Sequence, residues 1–286
     1  MPESSDDAAR SGTQNADQNV VDDFGAEWSR FDQTGMGAAE RAAVFQEYFG
    51  VFPWSVLPKD AVGFDLGCGS GRWAAEVHGR VGHLHCIDPS AAIDVARRNL
   101  SDATNCSFHQ ATVDAIPLPD GSMDFGYSLG VLHHVPDTQA GIAACVRKLK
   151  KGAPFLIYLY YRFDNQPLWY KAAWQLSDGF RRGISVLPEA PKYAASQLIA
   201  ATVYWPLART ARVLDRLGLP IHSVPLSNYR EKSFYSMRTD ALDRFGTRLE
   251  QRFTRAEVLA MMEAAGLERI VFSEKVPYWT AVGYKK

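Results

Sequence analysis

Nowhere in this chain do eighteen apolar residues run together, so no segment reads as a membrane-spanning helix. Its four cysteines, Cys68, Cys86, Cys106 and Cys145, make no C-x-x-C pair and have no histidines at metal-binding spacing. That excludes a disulfide framework and a zinc centre and leaves them as small core residues, with no metal expected. No run of lysine and arginine gives the electrostatic footprint of a nucleic-acid binder. The opening "MPESSDDAARSGTQNADQNVVDDF" lacks the basic and apolar regions of a secretory signal, and the expected location is cytoplasmic. Internal repeats and low-complexity segments are missing too.

What is present is enough for one full core and an appendage: 286 residues, 47% of them hydrophobic, with a formal charge of −1. Residues 1–25 hold six acids against Arg10 alone, which leaves the rest of the chain net positive by about four. Residues 1–25 read as a solvated, disordered acidic leader.

From Val62 onward, β-type apolar runs alternate with helical patterns. Strands are expected at "VGFDL", "HLHCID", "SFHQAT", "DFGYSLG" and "PFLIYLYY", and helices near 71–79, 90–100 and 138–150. This rhythm belongs to a parallel sheet covered on both faces. It breaks for about ninety residues and resumes at "FTRAEVLAMMEAAGL", where Thr254 and Glu257 form a capping box and Gly266 a stop signal. Two final strands, in "ERIVFSEK" and "YWTAVGYKK", lie close enough for an antiparallel hairpin. The fold class is therefore α/β: a doubly wound, mostly parallel, Rossmann-like seven-stranded sheet with an antiparallel last strand. Residues 26–161 and 251–286 form its core, and residues 162–250 form a mainly helical cap after the fifth strand.

The stretch "VGFDLGCGSGRW" places Gly67, Gly69 and Gly71 between a strand and a helix, where bare backbone passes close to a ligand. A tight turn with no ligand gives the same pattern. G-x-G-x-G also departs from the dinucleotide fingerprint G-x-G-x-x-G. Asp88 ends the second strand 21 residues after Gly67, where a ribose-binding acid belongs, and the same position suits a cap for the helix that follows.

With "DLGCGSGRW", Asp88, "IPLPDGSMDF", "SLGVLHHVPD" and the closing strand pair in this order, the chain resembles the class I S-adenosylmethionine-dependent methyltransferases, in particular the branch with ubiquinone and menaquinone C-methyltransferases. The likeness covers about residues 25–160 and 250–286. It implies S-adenosyl-L-methionine as cofactor. Asp65 and the backbone of Gly67, Cys68 and Gly69 would hold the methionine portion, Asp88 the ribose hydroxyls, and Gly71 counts among the cofactor-binding residues. Arg72 would reach the carboxylate or else face water, and Pro89 and Leu129 fall on the cofactor side. Relatives often carry an acid where this chain has Thr112. Val113 would then meet the adenine edge, with Thr112, Asp114 or a water at its amino group. Trp28 and Arg30, from "EWSRFDQTGMG", would cover the cofactor or simply dock their helix.

For the acceptor, His133 and His134 follow the fourth strand and titrate in the range of a general base, with a structural role as the alternative. The mouths of the insertion offer Tyr160, Tyr161, Tyr229, Arg230, Tyr235 and Arg238, and arginines among tyrosines suit a small carboxylate acceptor methylated at oxygen, nitrogen or sulfur. Against this stands a packed cap whose arginines face water, or a lipid or polyprenyl acceptor reached along residues 193–219. The apolar middle of the cap reads as a lid, a homodimer face, or a peripheral membrane contact, in that order. A nicotinamide-dependent oxidoreductase and a non-catalytic ligand-binding scaffold are the alternatives from other classes.

Overall fold

Three strands whose side chains are buried on both faces sit at the centre of the molecule: β1 (Val62–Leu66), β4 (Phe125–Leu129) and β5 (Pro154–Tyr158). Near-continuous apolar runs of this kind are what a doubly covered parallel sheet requires. This computed structural model describes residues 15–33 and 35–286. Parallel strands β2 (His83–Asp88) and β3 (Cys106–Gln110) extend the sheet from β1. On the other side β7 (Ala281–Lys285) pairs antiparallel with both β5 and β6 (Leu267–Phe272). The order β3-β2-β1-β4-β5-β7-β6 makes the chain reverse its winding between β1 and β4. The carboxyl ends of those two strands therefore open onto a crevice.

Helices α2 (Ala38–Phe49), α3 (Ala74–Val77) and α4 (Ala92–Asn99) cover one face. There Phe49, Leu84, Tyr127 and Leu156 are buried together. The other face carries α5 (Thr138–Lys148) and α10 (Arg255–Ala264) over Phe64, Ile87, Phe155 and Val258. The capping box expected at Thr254 and Glu257 opens α10.

One expectation is corrected at the amino end. Helix α1 spans Gln18–Arg30 and starts inside the segment read as a disordered leader, with Asp17 capping the Asn19 amide. An acidic stretch that looked solvated is tied down by tertiary contacts: the Asn15 side chain accepts from the Asp137 amide at 2.7 Å and donates to its carbonyl at 2.8 Å. Residues 1–14 of that leader lie outside the described residues.

The insertion carries α6 (Leu168–Ser185), α7 (Glu189–Ile199), a π-helical turn over Ala200–Tyr204, α8 (Trp205–Arg216) and α9 (Phe234–Gly246). Its small core joins Ala200, Tyr204 and Ala208 to Met237, Ala241 and Phe245 of α9. Among the described residues no helix is long and apolar enough to cross a membrane.

Candidate functional site

The glycine loop answers to three different demands. Gly67 and Gly69 have φ of +76° and +52°, the left-handed region that side chains disfavour, and a Cβ on Gly67 would lie 2.3 Å from Val131. Gly71 shares the left-handed backbone, at φ +82°, and also allows close packing on α4, with Leu100 and Ala96 at 3.0 and 3.3 Å from the position of a Cβ, so its contact is with the helix and not the cavity. The loop's amides are already engaged. Those of Gly67 and Cys68 donate to the Ile87 carbonyl at 2.7 and 3.1 Å, that of Gly69 to Asp88 Oδ2 at 2.9 Å, and that of Gly71 to the Cys68 carbonyl at 2.8 Å. A pyrophosphate would need such amides pointing outward.

Asp88 holds the turn that leads into α4. Its Oδ1 accepts from the Ser90 amide at 2.9 Å and hydroxyl at 2.6 Å, which fixes the turn into α4, and burial raises its pKa. With about two acceptor positions per carboxylate oxygen, Oδ2 keeps one lone pair for a ligand.

Gly67, Cys68, Gly69, Arg72, Asp88, Pro89, Thr112, Val113, Leu129 and Trp28 all line one cavity of about 330 Å³. Thr112 Oγ1 and Arg72 Nε are buried without a hydrogen-bond partner, and the Arg72 guanidinium lies 4.5 Å from the Trp73 ring centre. Trp28 lies against Gly69, with its Nε1 3.1 Å from where a Cβ would stand. Helix α1 thus covers the glycine-loop end of the cavity.

Other expected cofactor residues lie elsewhere. Asp65 is 1% exposed with its carboxylate beside Tyr127, off the cavity wall, and burial raises its pKa well above the usual range. Asp114 accepts the Asn15 amide, so it holds the N-terminal segment and leaves Thr112 as the polar group at the cavity wall. Arg30 lies outside the cavity lining: it pairs with Glu189 at 2.7 Å and lies over the Tyr193 ring.

On the acceptor side, His134, Tyr160, Tyr161 and Tyr229 line the same cavity. His134 Nδ1 is 2.6 Å from the Leu249 carbonyl, which only accepts, so Nδ1 carries the proton and Nε2 is bare, 3.9 Å from Asp243 Oδ1. Burial pulls its pKa down to about 4. His133 lies off the cavity wall, fully buried and stacked on Tyr160 at 3.8 Å, with both ring nitrogens unpartnered and its pKa driven well down by burial.

The arginines read as a carboxylate clamp do not reach the cavity. Arg230 pairs with Asp215 at 2.9 Å, and Arg238 bonds Gln197 Oε1 and the Tyr193 hydroxyl. Tyr235 accepts the Gln33 amide at 3.0 Å and packs on Phe31. Each is satisfied by the packing of the cap, so the expectation of an arginine clamp is corrected.

Residues the sequence reading passed over line the cavity in their place: Glu27 from α1, Tyr48 from α2, Tyr158, Tyr204, and Asp240 and Asp243 from α9. The tyrosine hydroxyl of Tyr160 donates to Asp243 Oδ2 at 2.5 Å. Burial and the neighbouring acids push the Asp243 pKa up to about 7. The i, i+3 spacing of Asp240 and Asp243 on a helix was the one signal that could have found them, and it is a weak one.

Known proteins match this part of the chain. A methyltransferase domain family covers residues 64–157, from β1 to β5. The ubiquinone biosynthesis O-methyltransferase of Hahella chejuensis is 33% identical over 102 residues, 35% of this chain and 42% of that protein. The tRNA (carboxymethyluridine(34)-5-O)-methyltransferase of Macaca fascicularis is 28% identical over 133 residues, 41% of this chain and 19% of that one. The chain thus spans less than half the length of either curated relative. A structure of a Haloferax volcanii methyltransferase with the activator Trm112 shares the fold at a TM-score of 0.51 and 15% identity, covering 93% of this chain and 98% of that one. The matched strands are those that carry the glycine loop and Asp88, so residues 64–157, the part of the chain that builds this end of the cavity, are similar to a methyltransferase domain.

Proposed function

We propose that this protein transfers a methyl group from S-adenosylmethionine to a small-molecule acceptor held beneath the cap. The observation that carries the reading is the loop whose amides at Gly67, Cys68 and Gly69 are already bonded to β2, next to an Asp88 with a lone pair to spare. Such a loop offers close approach without an anion nest, which suits a nucleoside that has no phosphates and not a dinucleotide.

The residues present fit that cofactor. Asp88 Oδ2 would accept a ribose hydroxyl, Thr112 Oγ1 would meet the adenine amino group, Arg72 would take the carboxylate, and Trp28 would cover the methionine end. When bound, the cofactor supplies a methyl group on a positively charged sulfur. The chain's own work is then to exclude water and hold the acceptor in line, because positioning carries most of such a displacement. A cavity of about 330 Å³ lined by α1 and by cap residues supports a small acceptor over an RNA, which is the acceptor in the name of the Macaca relative.

A lipid acceptor is the second reading. It is favoured by apolar side chains on the outside of the cap, among them Leu168 at 83%, Leu176 at 69% and Leu217 at 69% exposure. Titration calorimetry with S-adenosylhomocysteine and with NAD tests the main reading. Micromolar binding of the first and none of the second is expected, and heat from NAD alone would overturn it.

A further inference from the structure

Glu27, Asp240 and Asp243 bring three carboxyl groups to one wall of the cavity. Glu27 is 5% exposed with Oε1 unpartnered, and Asp243 Oδ1 is unpartnered as well. The acids of α9 are near enough to Glu27 to raise its pKa with their charge, after burial itself. Among the described residues none of the three has a lysine or arginine within 4.0 Å.

The cations that share the cavity are engaged with other groups. Arg252 pairs with Glu250 at 2.7 Å and Lys232 stands 3.7 Å from Glu47, while Arg244 donates to Ser177 and Arg72 lies over Trp73, each of these two keeping an unpartnered Nε. Grouped carboxyls in a desolvated pocket relieve their repulsion by holding protons, as the raised pKa values of Glu27 and Asp243 reflect, or by taking a positive charge among them. A separate observation also points to a ligand. His134, 4% exposed, turns an unpartnered Nε2 acceptor into the same space, where a donor N–H would satisfy it. Tyr160, Tyr204 and Tyr229 complete the wall, and their apolar rings keep water from a bound cation.

We propose that this pocket takes a cationic amine as the methyl acceptor, held by Glu27, Asp240 and Asp243 among Tyr160, Tyr204 and Tyr229. The inference rests on the methyltransferase reading above and names its substrate class. The acids are too far along the sheet to serve the ribose: Asp88 ends β2 and Tyr160 follows β5, three strands apart, about 14 Å at the usual strand spacing. In the reaction the ammonium passes one proton to Asp243 Oδ1. Its nitrogen lone pair then forms the bond to the methyl carbon while the carbon–sulfur pair withdraws to sulfur, so charge and protons balance.

The test titrates the protein loaded with S-adenosylhomocysteine with tetramethylammonium and phenethylamine, and with benzoate and catechol as anionic and neutral rivals. Both cations should bind, benzoate and catechol should not, and Asp240→Asn and Asp243→Asn should each weaken the cations at least tenfold. S-adenosylhomocysteine affinity should stay within threefold in both variants. With S-adenosylmethionine, phenethylamine should give a methylated product by mass spectrometry. Benzoate binding more tightly than the amines would overturn the proposal, and this comparison needs only the wild-type protein. Amine affinity unchanged in both variants would overturn it too. So would loss of S-adenosylhomocysteine binding in them, because the acids would then serve the cofactor. Failure of the wild-type protein to bind S-adenosylhomocysteine would instead remove the methyltransferase reading.

Discussion

Gly69 donates its amide hydrogen to Asp88 Oδ2 at 2.9 Å, so the residue that shapes the loop and the acid that ends β2 are one hydrogen-bonded unit. Asp88→Ala should therefore weaken S-adenosylhomocysteine binding at least tenfold. A hydrogen bond to a charged acceptor is worth roughly 1.5–3 kcal/mol, and the loop also loses its anchor. Calorimetry on the folded variant checks it; unchanged affinity would leave Asp88 only its role in the turn at Ser90.

Gly69→Ala puts a Cβ 3.1 Å from the Trp28 indole at a φ of +52°. The left-handed backbone alone costs about 1–2 kcal/mol, and a melting temperature lower by a few degrees is expected together with weaker cofactor binding. Combining the change with Trp28→Ala should relieve the contact but not the backbone penalty, so melting should recover only in part.

Arg230→Ala and Arg238→Ala should leave the acceptor KM unchanged once an acceptor is in hand, because both side chains are held by cap residues. Arg230 is about a third exposed in its pair with Asp215, and such a pair is worth about 1 kcal/mol or less. A tenfold rise in KM for either variant would restore the arginine clamp.

His133→Phe should keep the fold and the melting temperature. It replaces a neutral, fully buried imidazole with no hydrogen-bond partner by an apolar ring that can still stack on Tyr160. A large loss of stability would reveal a polar partner that the packing does not show.

Asp243 gives a pH prediction. Its folded pKa of about 7 lies above its ordinary value of 3.8, so between these values the folded state holds the proton more tightly and stability from this group falls as pH rises. His134, lowered to about 4 from 6.5, has the opposite sign and adds stability as pH rises over its own window. The difference in melting temperature between Asp243→Asn and wild type isolates the first effect. It should be near zero at pH 4 and favour the variant by pH 7.5; a variant less stable at both pH values would contradict it.

Much of this molecule follows from local rules that a sequence states outright. Alternation of apolar runs with helical periodicity gave β1 to β5 and their helices, because a strand buried on both faces needs a continuous apolar run wherever it sits. Glycine spacing located the loop, since a positive φ is a property of single residues, and the Thr254–Glu257 box located the start of α10 because its partners are three residues apart.

The acceptor wall was decided by tertiary structure. Helical periodicity says that Asp240 and Asp243 share a face of α9 and that Arg238 stands on another, but not which face meets the cavity. Packing of α9 against α1 and α7 settles that: Arg238 is turned to Gln197 and Tyr193 on α7, and the two acids are left facing Tyr160, Tyr229 and Glu27 of α1. Residues that meet across more than two hundred positions, as Glu27 and Asp243 do, carry no mutual spacing for the sequence to reveal.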